Sequence, residues 1–92
     1  MKAIWNDRVI AESSDIVTME GHHYFPEASI DKSVLVHSMK TSVCLWKGTA
    51  HYYHLEADGR RTENAAWCYP YPKSASRKTR DRIAFGRGVE VR

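Results

Sequence analysis

The chain has 92 residues, two cysteines and a net charge of +3 at neutral pH. This length predicts one domain, residues 1–92, and the composition excludes a membrane-spanning helix, since no apolar run is long enough. Two cysteines are too few for a secreted domain held by disulfides, so we expect a soluble cytoplasmic protein with reduced thiols, whose mild positive charge permits an anionic ligand.

The first twenty residues carry short runs of β-forming residues. Residues 2–5 and 8–12 are separated by Asn6-Asp7, a pair that tolerates positive φ and suits a tight hairpin turn. After a polar break, residues 16–20 form a third run that Gly21 ends. We expect a three-stranded meander over this region.

The next segment alternates between extended and turn signals. Residues 22–26 are aromatic and end in proline, which favours an extended strand leaving the sheet. Pro26 is also suited to the first turn of a short helix, after which residues 34–36 return to strand chemistry. We interpret residues 38–42 as a polar link into the stretch that follows.

Residues 41–53 hold a thiol, an indole, an ammonium, a glycine, an imidazole and two phenols. This mixture is typical of ligand-facing groups set into a sheet. Asp58-Gly59 then gives a strong hairpin signal. Before it, alternate residues starting at His51 form the more apolar face, which we expect to face the core, and those starting at Ala50 form a mixed face toward solvent or a cavity.

The remaining chain predicts four more strands and a basic loop. Residues 60–63 and 64–71 read as strands, and prolines end the second of them. Residues 73–82 read as a loop or a short helix, and residues 83–85 and 89–91 as closing strands. We therefore predict a mainly β fold, a single compact antiparallel domain of about eight short strands with one or two short helical turns.

Several short motifs spread over the chain carry a family resemblance. They are Lys-Ala-Ile-Trp-Asn at 2–6, Val-Ile-Ala-Glu at 9–12, Gly21 with His-Tyr-Phe-Pro at 23–26, Cys-x-Trp-Lys-Gly-x-Ala-x-Tyr-Tyr at 44–53, Asp-Gly at 58–59, Ala-Ala-Trp-x-Tyr-Pro-x-Pro at 65–72 and Ile-Ala-Phe at 83–85. With these motifs the chain resembles the mainly bacterial family called domain of unknown function 427, sometimes labelled nucleotidyltransferase-like. Leu45 departs from the pattern, since a proline is expected there.

The resemblance implies a β-tent type of fold, similar to the tent-like sheets of methionine sulfoxide reductase B. The structural zinc of that wider class is not carried over, because this chain has no Cys-x-x-Cys pair. Nucleotidyl transfer needs carboxylates gathered around Mg²⁺, and polymerase-type transferases supply them with Asp-x-Asp after a Gly-Ser turn. Neither motif occurs here, so we expect no metal and no cofactor.

Cys44, Lys47 and Gly48 are the first candidates for a site. Cys44 is a weak candidate nucleophile if Lys47 or His51 favours its thiolate, and a small buried hydrophobe otherwise. Lys47 is either an anion-binding group or a solvated turn residue. Gly48 lets a ligand or another strand approach the backbone closely.

Four aromatic residues are candidates for the wall of a pocket: Trp46, Tyr52, Trp67 and Tyr69. Their flat faces can stack on a ring and their polar edges can orient it, although such residues also build cores. With Lys47 beside them, the pocket is expected to bind a small anionic or aromatic molecule. The histidines lack the spacing of metal ligands.

Three function classes follow from these readings. The first is a small-molecule binding domain with its site at residues 44–53. The second is a thiol-dependent or nucleotidyltransferase-like enzyme at the same site. The third is an interaction module that uses the basic segment 73–82, although the lack of interleaved aromatic residues argues against nucleic acid. No membrane role is expected, and the oligomeric state is left open.

Overall fold

The computed structural model describes Met1–Arg92 and contains nine strands, several of which are joined by turns with positive φ. The strands are β1 (Lys2–Trp5), β2 (Arg8–Glu12), β3 (Val17–Met19), β4 (His22–Pro26), β5 (Leu35–Cys44), β6 (Gly48–Ala57), β7 (Arg60–Cys68), β8 (Arg82–Phe85) and β9 (Val89–Val91). Short 3₁₀ segments lie at Glu27–Ser29, Lys32–Val34 and Ser74–Thr79. The mainly β, antiparallel fold is confirmed, with nine strands rather than eight; the tent type and the one-domain organisation stay predictions.

The strands form two antiparallel sheets. One has three strands in the order β2-β1-β9, and the other has six in the order β3-β4-β8-β7-β6-β5. The predicted hairpins at Asn6-Asp7 and Asp58-Gly59 are present, and all four turn residues have positive φ. None of the helical segments has the length and apolar character needed to cross a membrane.

The predicted three-stranded meander is wrong, because β3 pairs with β4 in the larger sheet and not with β2. Arg82 on β8 donates hydrogen bonds to the Asp15 carbonyl (2.8 Å) and carboxylate (3.0 Å), which directs the chain toward the larger sheet. Glu20 and Gly21 then form a tight turn, both with positive φ, that pairs β3 with β4.

Two apolar clusters lie on opposite faces of the larger sheet. Phe25, Ile83 and Phe85 join the main core, which includes residues of the smaller sheet such as Trp5 and Ile10. Their strand neighbours belong to a second cluster of Met19, Tyr24, Ala50, Tyr69 and Ala84. Successive side chains of a strand point to opposite faces, so β4 and β8 each serve both clusters.

β6 also divides its residues between the two clusters. Leu55 is buried in the main core with Tyr53 packed against it, as predicted for that face, but His51 is exposed. On the mixed face, Ala50 is buried in the second cluster and Tyr52 packs against it. The mixed face is thus a second, smaller core beside a cavity.

Two predicted breaks lie inside continuous strands. Residues 38–42, predicted as a link, belong to β5, whose register against β6 shifts between His37 and Thr41. Residues 60–63 and 64–71, predicted as two strands, are one strand that ends at Cys68. Asn64 has positive φ there and accepts a 2.5 Å hydrogen bond from the Ser38 hydroxyl, so a polar contact replaces the regular ladder at both irregularities.

Candidate functional site

The largest of three cavities, about 500 Å³, lies over the second cluster. Its walls come from the β3–β4 turn, from β4, β5, β6 and β7, and from the residues just beyond β5 and β7. They are lined by Glu20, His22, Tyr24, Ser42, Cys44, Lys47, Tyr52, Trp67 and Tyr69. The cavity therefore combines four aromatic rings with one carboxylate and one ammonium.

Lys47 lies in the turn between β5 and β6, and its backbone is held by the segment that precedes β8. Its carbonyl accepts hydrogen bonds from the Lys73 N–H (3.1 Å) and from the buried Ser76 hydroxyl (2.5 Å). The Lys73 ammonium donates to the neighbouring Leu45 carbonyl (2.8 Å). The backbone that carries the Lys47 side chain is therefore fixed from outside the hairpin.

The Lys47 ammonium donates a hydrogen bond to the Glu20 carboxylate and lies 5.9 Å from the centre of the Tyr69 ring. Its side chain is 19% exposed and that of Glu20 is 59% exposed. The carboxylate contact raises the pKa of Lys47, so the group is an ammonium at neutral pH. The shielded cation thus has a partner that reaches into solvent.

Trp67 is the centre of the aromatic wall. Its indole N–H donates to the Tyr24 hydroxyl (3.2 Å), and the edge of the His22 ring packs 4.8 Å from it at 83°. The Tyr52 ring lies 6.2 Å away at 44°. Burial raises the pKa of Tyr24 and of Tyr69, so both phenols stay neutral hydrogen-bond donors at physiological pH.

The irregular part of β5 brings a second cation to the rim of the cavity. The Lys40 ammonium lies 4.6 Å from the centre of the Tyr52 ring, a distance typical of a cation–π contact. The Tyr52 hydroxyl shares a 3.1 Å hydrogen bond with the Ser42 hydroxyl. Tyr52 is therefore held in place from two sides.

The sequence profile of a family described as a domain of unknown function (DUF427) matches residues 1–91. The chain belongs to this family. No curated protein matches it significantly.

In this DUF427 domain, five of the sequence-predicted site residues line one cavity: Cys44, Lys47, Tyr52, Trp67 and Tyr69. Trp46 lies outside the cavity lining and is 66% exposed. Gly48 is buried, and a Cβ on it would lie 3.1 Å from the Tyr71 carbonyl oxygen. The close approach at Gly48 is thus made by the chain's own backbone.

Sequence reasoning missed four cavity residues: Glu20, His22, Tyr24 and Ser42. His22 and Tyr24 are two positions apart on one strand, so the period-two rule places them on the same face. That rule finds them once residues 20–21 are read as a hairpin turn rather than as the end of a meander. Glu20 reaches Lys47 across 27 residues, and no local signal indicates that contact.

The two cysteines occupy different surroundings, and both are free thiols. Cys44 is half-buried and lines the cavity. Cys68 is buried in the main core, where desolvation raises the pKa of its thiol. Cys44 is thus the thiol that a cavity ligand would meet.

The donor groups do not fit the metal that the nucleotidyltransferase-like label implies. That chemistry needs several carboxylates around Mg²⁺, and Glu20 is the one carboxylate in the cavity lining. No three His, Cys, Asp or Glu side chains gather as a set of metal ligands anywhere in the chain. We therefore derive no metal-dependent step for the DUF427 domain.

The basic segment 73–82 contacts the rest of the domain. Lys73 bonds the Leu45 carbonyl, the Lys78 ammonium donates to the Thr18 carbonyl (3.1 Å), and Arg82 holds Asp15. The backbone carbonyl of Leu45 is thus one of the acceptors that this segment contacts. Residues 73–82 therefore pack against the β5–β6 turn and restrain its backbone.

Proposed function

We propose that this DUF427 domain binds a small, flat, carboxylate-bearing molecule in the cavity beside Lys47. The observation that carries the proposal is the shielded Lys47 ammonium at the side of a cavity lined by four aromatic rings. Binding sites for small molecules are typically concave, aromatic in lining and supplied with a few polar groups that fix orientation. A cavity of about 500 Å³ is within the usual range for such sites.

The aromatic wall supports a ligand with a flat apolar part. Tyr52 and Trp67 are half-buried, so part of each ring surface is accessible from the cavity. Aromatic rings favour offset-stacked or edge-to-face contacts with a flat partner. The neutral phenols of Tyr24 and Tyr69 can donate hydrogen bonds to a polar edge of the same molecule.

The charges support a carboxylate on that ligand. A charge-assisted hydrogen bond from an ammonium is stronger than one between neutral groups, and low exposure reduces its screening by water. Glu20 holds Lys47 in the free protein, but its side chain is 59% exposed and can turn to solvent. A ligand carboxylate can therefore take the place of Glu20 at a small solvation cost.

The proposal is tested by a thermal-shift screen of planar aromatic carboxylates against their carboxamide counterparts. A carboxylate present at a hundredfold excess over its Kd stabilises the domain by about 2.7 kcal/mol. We expect carboxylates to raise the melting temperature and the matched amides to leave it unchanged. Equal shifts for both sets, or none for either, would contradict the role given to Lys47.

A second candidate function is a thiol-dependent enzyme, because Cys44 lines the same cavity as Lys47. The two functions are separated by following the half-ester of an aromatic dicarboxylic acid by NMR over hours, with the parent protein and with Cys44→Ser. Its free carboxylate can bind Lys47, and its ester carbonyl can be attacked by the Cys44 thiolate with release of the alcohol, after which water hydrolyses the thioester. Consumption of the compound by the parent alone supports the enzyme. Binding without consumption, equal in both proteins, supports a binding domain.

We also propose a cytoplasmic location, which the two free thiols support. An interaction role for segment 73–82 has less support. Lys73, Lys78 and Arg82 are three of its five basic side chains and are turned onto the domain's own backbone or carboxylates. A nucleic-acid backbone would have to compete with these contacts.

A further inference from the structure

We propose that the ligand's head group is a zwitterion, whose carboxylate binds Lys47 and whose ammonium binds Glu20. The inference rests on the proposed function and narrows its ligand class to flat molecules with an amino-acid-like head group. It follows from the Lys47–Glu20 pair, which supplies one cation and one anion to the same part of the cavity.

The charge balance of the lining favours a dipolar ligand. Among the residues that line the cavity, Lys47 carries the positive charge and Glu20 the negative charge, and the Lys40 ammonium lies outside the lining, over the Tyr52 ring. A ligand with only a carboxylate has to displace Glu20 from Lys47, so one charge-assisted contact is exchanged for another. A ligand with only an ammonium meets the same difficulty at Lys47, whereas a zwitterion gives each protein charge an opposite partner.

Two hairpin tips place the pair, and the pair can open without backbone movement. Glu20 lies in the two-residue turn between β3 and β4, where its φ is 53°. Lys47 lies in the turn between β5 and β6, where two hydrogen bonds hold its carbonyl. Both side chains are long and flexible, so rotation alone can admit a head group between them.

The rings beside the pair support its cation and a flat ligand side chain. The Tyr69 ring lies 5.9 Å from the Lys47 ammonium and helps to hold that cation at this point. Trp67 and Tyr52 lie in the same cavity lining and present the surfaces on which a flat side chain can pack. The combined site therefore fits an aromatic amino acid or a compound of the same layout.

Three probes with a common phenylethyl skeleton test the inference: phenylalanine, 3-phenylpropionate and 2-phenylethylamine. They carry both charges, the negative charge alone and the positive charge alone. Each is titrated into the ¹⁵N-labelled chain of 92 residues, and Kd is taken from the amide shifts of residues around the cavity. We expect phenylalanine to bind more tightly than either single-charge probe by on the order of tenfold, equal to about 1.4 kcal/mol.

Glu20→Gln provides the decisive variant, since it removes the negative charge and keeps the shape of the side chain. We expect it to weaken phenylalanine binding by about tenfold and to strengthen 3-phenylpropionate binding, because no carboxylate then competes for Lys47, so that 3-phenylpropionate becomes the tighter of the two. Glu63→Gln is the matched control, because Glu63 is exposed and lies outside the cavity lining. It should leave all three Kd values unchanged.

The outcomes separate the inference from the proposed function. If 3-phenylpropionate binds the parent as tightly as phenylalanine, or if Glu20→Gln changes nothing, the zwitterion inference is wrong and carboxylate binding at Lys47 stands. If 2-phenylethylamine binds most tightly, or if no probe shifts the cavity amides at millimolar concentration, both proposals are wrong.

Discussion

Gly86 leaves space for the Trp67 ring beside the cavity. A Cβ on Gly86 would lie 2.8 Å from Cζ3 of the Trp67 indole, a separation that real side chains do not tolerate. The indole cannot move away freely, because its N–H is bonded to the Tyr24 hydroxyl and the His22 ring packs against it in a T-shaped arrangement. A missing side chain on one residue thus fixes the central ring of the wall.

Gly86→Ala should displace the indole and cost about 1–3 kcal/mol of unfolding free energy, as overpacking usually does. The Trp67 indole N–H resonance should lose protection from hydrogen exchange, because its bond to Tyr24 is lengthened or broken. Gly21→Ala is the control, since a Cβ there meets nothing within 4 Å and strains only the local φ. If the Trp67 indole N–H stays protected in Gly86→Ala, the aromatic wall can accommodate the added methyl group without loss of the bond to Tyr24.

Buried acidic groups make the free energy of unfolding depend on pH in the alkaline range. Burial raises the pKa of the Tyr24 and Tyr69 phenols and of the Cys68 thiol above their ordinary values. Above the ordinary values of about 8.5 for Cys and about 10 for Tyr, the unfolded chain releases protons that the folded chain keeps. The free energy of unfolding therefore falls as pH rises through this range.

We expect the urea midpoint to be flat near neutral pH and to decrease steadily above about pH 8.5. Tyr24→Phe removes one of the titrating groups and should reduce the slope of that decrease above pH 10. A urea midpoint that rises with pH would mean that these groups lose their protons more readily in the folded protein than in the unfolded chain, so that folding lowers their pKa values.

At the scale of elements, the 3₁₀ segment Ser74–Thr79 holds the β5–β6 turn that carries Lys47. The contact is made by the buried Ser76 hydroxyl on the Lys47 carbonyl, with the Lys73 N–H beside it. Sequence reasoning predicted a basic loop or short helix here, which is confirmed. The hydrogen bond from Ser76 to the Lys47 carbonyl joins residues 29 positions apart, so no local sequence pattern predicts it.

Ser76→Ala should cost about 1–3 kcal/mol of unfolding free energy, because it removes a buried hydrogen bond to the turn. It should also weaken ligand binding, since the Lys47 backbone loses one of its two restraints. Ser74→Ala is the matched control on the exposed side of the same segment. Equal urea midpoints for the two variants would show that the segment does not hold the turn.

Local turn chemistry made some elements predictable and left others out of reach. Asn6-Asp7 and Asp58-Gly59 predict their hairpins, because these tight turns need positive φ and Asn, Asp and Gly adopt it more readily than other residues. The Glu20-Gly21 turn was missed, since glutamate is uncommon at positive φ. The irregularity after His37 was also missed, because its stabilising contact is with Asn64 on a strand two places away.

At the scale of the whole molecule, the composition predicts a mainly β protein but not how its strands are distributed. β4 pairs with β8, whose residues lie about sixty positions further along the chain, and β8 also pairs with β7, so a long-range pairing joins the two parts of the larger sheet. This arrangement brings Tyr24 beside Trp67 and closes the cavity. The site residues on β5, β6 and β7 could be predicted because they lie within residues 41–53 and in the strand that follows. Those from the β3–β4 hairpin could not, because they reach the site through pairing between strands that are far apart in the sequence.

Removal of metal ions should not change the thermal stability of the protein. No three potential ligands gather in the chain, so no bound ion is needed to join the two sheets. Treatment with a strong chelator should leave the melting temperature unchanged, with the untreated protein as reference. A large decrease would show that histidine and cysteine side chains hold a structural metal.

The central claim, that Lys47 makes this cavity a carboxylate site, is tested most directly by calorimetry on Lys47→Ala. The titrant is the strongest aromatic carboxylate from the thermal-shift screen. Loss of a charged hydrogen bond should weaken binding by about 1.5–3 kcal/mol. Stability should change by about 1 kcal/mol or less, since the Glu20 left behind is solvated.

Arg77→Ala is the matched control, because it removes a positive charge from an exposed side chain that lies outside the cavity lining. The account predicts that Arg77→Ala binds the carboxylate like the parent and that Lys47→Ala binds it at least tenfold more weakly, a difference of about 1.4 kcal/mol. Equal affinities for the parent, Arg77→Ala and Lys47→Ala would contradict it and would make the turn at Lys47 purely structural.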